Sequence, residues 1–220
     1  MSTIKPTIVF APGAWHTADC FDVVREALHA RDWSTEAIEY PSVGAEPPTK
    51  VGANAVEGLG YKQRQREGKT GGVILFVYLA AFVTPLGKSI KEMLGGQFLP
   101  WMRPEGDYVY ADTPEKIFYH DVEPEAQKKA IDALKHQSGR VFTDTVTYEP
   151  WHEIDCFYFF CDSDQALALP IQQHMASLLG PDAASFHSQG SHSPFLSQPQ
   201  EVVEGLEYAA KVGLEKTAAA

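Results

Sequence analysis

The sequence predicts an α/β domain built on a mostly parallel sheet. Two observations carry that expectation. Near-continuous apolar runs occur at residues 7–11 (TIVFA), 73–82 (VILFVYLAAF) and 156–161 (CFYFFC), the pattern of strands buried on both faces. Segments with helical spacing of apolar residues lie between such runs, and strands alternating with helices make a parallel sheet with covered faces.

The elements follow in order. Residues 7–11 end at Pro12-Gly13, as a buried strand does on reaching a loop. Phe21, Val24, Leu28 and Ala30 then form an apolar stripe that predicts a helix over 19–31. Residues 35–40 (TEAIEY) alternate and stop at Pro41, predicting a second strand, partly exposed and near a sheet edge. After the loop PSVGAEPPT, residues 51–72 (VGANAVEGLGYKQRQREGKTGG) predict a helix with a polar end and a Gly-Gly stop. Residues 73–82 are the strongest buried-strand signal. Residues 85–150 lack strand–helix alternation and are expected to be an insertion of short helical pieces, clearest over 124–136. A buried strand over 156–161, a helix ending near Leu179, a weak strand over 184–188 and a C-terminal helix around 199–212 complete a single domain spanning 1–220.

Composition narrows the function. At 220 residues and 24.3 kDa the chain suits one domain with a full core. A net charge of −11 argues against nucleic acid, whose phosphates need a concentrated basic surface. The one dense basic stretch, 62–69, is interrupted by Gln and Glu and is expected to be a solvated helix end. Cys20, Cys156 and Cys161 form no CxxC or metal spacing, and the last two sit in an apolar run as core thiols of a reducing compartment. The N-terminus shows no long apolar signal, and the longest apolar stretch is far too short to cross a bilayer. A cytoplasmic protein with no membrane partner is expected. No metal or nucleotide motif appears, so no cofactor is expected.

Three loops at the carboxyl ends of strands carry candidate chemistry. Residues 11–17 (APGAWHT) follow the first strand, where Pro-Gly and the small Ala14 can turn backbone N–H groups into a crevice. Asp162-Ser163-Asp164 follows the strand 156–161. An acid there can orient an imidazole or simply cap the next helix; for Asp164 both readings stand, and for Asp162 the cap is favoured. Residues 190–195 (GSHSPF) follow the last strand and hold His192 between small residues, free to project into a cleft. His16, His120, His152 and His187 are expected to be ordinary loop or surface residues. One helix and one strand separate Asp164 from His192, which places them on neighbouring loops as an Asp–His dyad.

The segments APGAWHT, YPSVG, VYLAAF, IFYHDVEPEAQKKAIDALKHQS, CDSDQALALP and GSHSPFLSQP occur in that order along nearly the whole chain. Together they resemble the α/β-hydrolase superfamily, specifically the small serine hydrolases related to plant methylesterases and hydroxynitrile lyases. The resemblance implies Asp164 as triad acid and His192 as base. It implies Ala14 and Trp15 as sources of an oxyanion-hole N–H, and residues 85–150 as a lid over the pocket. It implies hydrolysis of a carboxylic ester or lactone. The lid residues Phe98, Leu99, Trp101, Met102, Phe118 and Tyr119 suit a small apolar or aromatic ester-type ligand, or else pack the lid onto the domain.

The same resemblance exposes a loss. Residues 46–60 (EPPTKVGANAVEGLG) run from the loop after the second strand directly into what resembles the helix following the nucleophile. The family has a helix, a central strand and a G-x-S-x-G elbow in between. Such a segment is roughly 25–40 residues, and no G-x-S-x-G occurs in this chain. Ser42, Ser191, Ser193 and Cys20 are poor replacements, because none sits on a strained strand-to-helix turn. Without the central strand, the strands at 7–11 and 73–82 must either pair directly or leave two backbone rows unpaired. Three expectations follow: a product of a skipped exon or faulty gene model whose working form is a serine hydrolase, a nucleophile-free enzyme using the Asp–His base, or a small-molecule-binding module.

Overall fold

The computed structural model describes residues 5–40, 43 and 52–218. Strand β1 (Ile8–Phe10) leads through a 3-10 turn into α1 (Asp22–His29), whose Val24 and Leu28 lie one turn apart and fully buried. The chain returns in β2 (Thr35–Ala37), which pairs parallel to β1 with Ile8 opposite Thr35. The helix expected over 51–72 is instead broken: Gly52–Val56 forms a 3-10 turn, and α2 (Tyr61–Arg66) is short and buries none of its residues. Gly58 takes φ +75° between them, a left-handed conformation that cannot propagate a right-handed helix. β3 (Phe76–Leu79) follows.

The insertion is only partly helical. It holds α3 (Ile90–Met93), closed by a Ser89–Glu92 capping box, then the antiparallel hairpin β4 (Met102–Glu105) and β5 (Tyr108–Ala111). After α4 (Pro114–Ile117) and α5 (Pro124–Ala133), β6 (Gln137–Ser138) joins β5 as a third antiparallel strand, and α6 (Arg140–Thr143) follows. This sheet corrects the expectation of helical pieces alone. Gly106 at φ +58° with Asp107 makes the two-residue hairpin turn, a signal present in the sequence. The exposed Arg103, Pro104 and Glu105 obscure the alternation that would normally mark the flanking strand. Met102, Val109, Phe118, Tyr119 and Phe142 bury together with Trp15, so these side chains pack the insertion onto the domain.

β7 (Cys156–Cys161) is buried at every position, and α7 (Leu169–Ala176) leads to β8 (Ala184–Ser188), α8 (Pro194–Ser197) and the long α9 (Pro199–Ala218). β3, β7 and β8 form a parallel sheet in that order. One face packs Phe157 and Phe159 against Val202, Val203 and Leu206 of α9, in the same core as Phe10, Val24 and Leu28. The other packs Tyr158 and Phe160 against Leu167 and Met175. Among the described residues β1–β2 and β3–β7–β8 are separate sheets, with no ladder joining β1 to β3. Of the two arrangements expected, direct pairing of β1 with β3 does not occur among the described residues. Among the described residues no helix is long and apolar enough to cross a membrane.

Candidate active site

Asp164 sits in the loop after β7, buried, with its two carboxylate oxygens divided between two tasks. Oδ1 accepts the N–H groups of Ala166 (2.7 Å) and Leu167 (2.9 Å), and Oδ2 lies 2.8 Å from His192 Nδ1. The imidazole contact is the one expected, whereas Asp164 does not cap the next helix: Ala168 is the N-cap of that helix, and Oδ1 instead closes the turn before it. Gln172, fully buried on α7, holds the loop in place. It accepts from Cys161 N–H at 3.1 Å, donates to the carbonyls of Cys161 (2.9 Å) and Leu167 (2.7 Å), and lies 3.4 Å from Asp164 Oδ2. Asp162 is not a cap: it pairs with the exposed His187 at 2.7 Å and accepts from Gln189.

His192 retains 26% side-chain exposure, whereas Asp164 has none. The hydrogen bond to Asp164 puts the proton of the neutral ring on Nδ1 and leaves Nε2 as the acceptor, with no protein partner among the described residues. Burial disfavours the imidazolium, but the charge and hydrogen bond of Asp164 outweigh it and lift the His192 pKa above its usual value. Phe118 lies against the ring, with centroids 5.5 Å apart. The histidine loop is anchored to the insertion through Ser191, which donates its Oγ–H to Phe118 O (3.0 Å) and its N–H to Asp121 Oδ2 (2.8 Å).

In the loop after β1, the Ala14 N–H has no protein acceptor among the described residues. The Trp15 N–H, in contrast, donates to Gln137 Oε1 at 3.3 Å, so that amide is engaged in this conformation. Trp15 has φ +68°, unusual for a bulky residue, and its indole N–H donates to Val109 O at 2.8 Å. His16 departs from the surface role expected of it. It is buried, donates Nδ1–H to Ala14 O at 2.8 Å, and accepts at Nε2 from the Tyr119 hydroxyl at 2.8 Å. Burial drives its pKa down to about 4, with the nearby His192 acting in the same direction, so His16 is neutral near pH 7. No spacing rule in the sequence distinguishes His16 or Gln172; their roles arise only when distant elements meet.

No replacement nucleophile emerges among the described residues. Ser191 and Ser193 are fully buried, and Ser191 is committed to the hydrogen bond with Phe118. Burial and the neighbouring Asp19, Asp22 and Glu39 push the Cys20 thiol pKa far up, disfavouring its thiolate. Ser42 lies outside the described residues.

A family model described as the alpha/beta hydrolase family matches residues 8–205. The alpha/beta hydrolase nvfD of Aspergillus novofumigatus is 24% identical over 248 aligned positions, which cover 96% of this chain and 99% of that protein. Because 248 positions exceed this chain's 220 residues, at least 28 of them fall opposite a gap in it. Among solved structures, a pyrethroid hydrolase from Sphingobium faniae JZ-2 superposes with a TM-score of 0.71 at 18% identity, covering 95% of this chain and 98% of its own. The methylesterase MES16 from Arabidopsis gives 0.69 at 17% identity, covering 94% and 99%. A T18A mutant of tomato methylketone synthase I gives 0.71 at 13% identity, covering 96% and 100%.

Proposed function

The chain belongs to the alpha/beta hydrolase family, and from that premise we propose that its site is the acid–base half of an ester- or lactone-hydrolysing centre for small apolar or aromatic substrates. The carrying observation is the 2.8 Å contact between His192 Nδ1 and Asp164 Oδ2, which leaves Nε2 as a proton acceptor. In the complete reaction a serine hydroxyl attacks the acyl carbonyl and His192 Nε2 takes its proton. Asp164 stabilises the resulting imidazolium, and His192 then gives the proton to the leaving alkoxide. In the second half His192 deprotonates a water that attacks the acyl-serine, releasing the acid and returning the proton to the serine oxygen. The Ala14 N–H is the amide available to the developing oxyanion.

The nucleophile belongs to a segment this chain lacks. The absence of G-x-S-x-G, the unmatched positions of the fungal relative and the two unjoined half-sheets all support that reading. A longer transcript across the codons for residues 48–53, encoding a strand and G-x-S-x-G, is expected. Clear turnover of a fluorogenic ester panel by the 220-residue chain itself would contradict the need for the elbow.

The intact dyad beside an unpartnered Nε2 also favours a second reading, nucleophile-free proton abstraction by His192. It predicts general-base chemistry that disappears in His192→Ala, and activity retained by that variant rules it out.

A further inference from the structure

The main chain around His192 is held from the insertion. Up to Gly190 the loop after β8 is tied to the sheet: Gly190 N–H donates to Ser188 Oγ at 3.1 Å, and Gly190 O accepts from Ser163 N–H at 3.2 Å. Beyond Gly190 the ties change direction. Ser191 N–H donates to Asp121 Oδ2 at 2.8 Å. Ser193 N–H donates to Ser191 Oγ at 3.3 Å, and the proton of that hydroxyl goes to Phe118 O at 3.0 Å. The N–H of His192 itself has no acceptor among the described residues. The N–H groups on either side of the base therefore lead to residues 118–121 (FYHD).

The same segment reaches the loop after β1. Tyr119 donates to His16 Nε2, and His16 Nδ1–H holds Ala14 O, both at 2.8 Å. The amide open to an oxyanion and the base are thus referred to one short piece of the insertion. That piece is itself pinned: Phe118 is fully buried with its ring against His192, and Gln127 of α5 donates Nε2–H to Tyr119 O at 2.8 Å.

Asp121 is the member of the segment that packing does not explain. It is exposed, and among the described residues its side chain makes no hydrogen bond or ion pair except the one to Ser191. That bond fixes the peptide plane next to the imidazole. An acid–base group works only when held within about 0.5 Å and 10–20° of its productive geometry, and Nε2 of His192 has no protein partner to hold it there.

We propose that Asp121 is a positioning residue for His192: by holding the Ser191 N–H it sets the imidazole square to Asp164, so that the insertion fixes the place of the base. The inference rests on the reading of His192 as a base and adds to it a role for the exposed end of the FYHD segment.

The test uses the full chain and reads the His192 ring by proton NMR, through the exchange of its Nδ1 proton with water and its titration. A fall in stability alone decides nothing, because the Ser191 amide is buried and loses its acceptor in either case. In Asp121→Ala the Nδ1 proton is expected to exchange about tenfold faster as the bond to Asp164 slackens. The raised His192 pKa is expected to fall toward the ordinary histidine value. Asp121→Asn keeps an acceptor without the charge and is expected to stay near the wild type in both readings. Ser191→Ala cuts the hydroxyl bridge to Phe118 and is expected to move the ring in the same direction as Asp121→Ala. An unaltered ring in either folded alanine variant overturns the proposal. So does a ring as altered in Asp121→Asn as in Asp121→Ala, a wild-type chain without a slowly exchanging Nδ1 proton, or loss of the fold in both alanine variants. The base reading fails separately: activity retained by His192→Ala sinks it and leaves these ring measurements standing.

Discussion

Tyr119 of the insertion donates its hydroxyl proton to Nε2 of His16, 2.8 Å away, and His16 in turn holds the carbonyl of Ala14. A residue in the loop after β1 is thereby locked to one more than a hundred positions later, and the neutral state of His16 is what permits it. Tyr119→Phe leaves a buried imidazole nitrogen without its donor. A loss of about 1–2 kcal/mol in denaturant unfolding is expected, the cost of an unsatisfied buried acceptor.

The two histidines give opposite pH signatures. The His16 pKa falls from 6.5 to about 4 on folding, so the unfolded chain binds the proton more readily. Stability is lost progressively as pH drops from 6.5 toward 4, by about 3 kcal/mol in total. The raised His192 pKa acts the other way: its contribution is fully present below the ordinary histidine value and is lost as pH rises through the folded value. Denaturant midpoints measured from acid to alkaline pH are expected to show a flatter acid limb in His16→Gln. In His192→Gln they should show an unchanged acid limb, with a smaller loss of stability as pH rises above the ordinary histidine value.

Gln172 is expected to be among the costliest polar positions. Gln172→Ala strands the buried N–H of Cys161 and the carbonyl of Leu167, and leaves the Cys161 carbonyl only the Asp164 N–H at 3.3 Å. A stability loss of about 2–3 kcal/mol is expected. A slackened Asp164 loop should also bring the His192 pKa down, readable from its ring proton shifts during an NMR titration. An unchanged His192 titration in a folded variant would show that Gln172 does not position the dyad.

Gly205 tests the core. Alanine in mid-helix is worth about 1 kcal/mol over glycine, but a Cβ here would overlap the ring of Phe159 and come within 2.9 Å of Phe186. Those two rings pack on each other at 5.2 Å and have little room to yield. Overpacking of about 1–3 kcal/mol prevails, so Gly205→Ala is expected to lower the melting temperature. Gly213→Ala, whose new methyl meets Leu75 and Ile74 at 3.1–3.3 Å, should cost less.

Strands β7 and β8 lie where their apolar runs and flanking turns predicted them, over 156–161 and 184–188. The Asp164–His192 pairing was also foreseeable, because two loops at the same sheet edge bring their residues together whatever the details of packing. The insertion was less legible. Arg103 and Glu105 of β4 bond each other, and Arg103 also bonds Asp112, along an exposed rim, so its strand shows no apolar alternation. The broken segment at 52–66 misled for the opposite reason: its small residues suit a helix, but no apolar stripe demands burial, and Gly58 ends the turn.

By itself the sequence determined the strand runs, the placing of Asp164 and His192 on neighbouring loops, and the absence of G-x-S-x-G, since each is a local pattern or a count along the chain. Tertiary structure alone decided that Asp164 serves turn and imidazole together, that Trp15 N–H is engaged by Gln137, that His16 is buried and neutral, and that among the described residues β1 and β3 do not pair with each other. Each of these depends on what a polar group meets after residues far apart in sequence are brought together, and on how far burial then removes it from water.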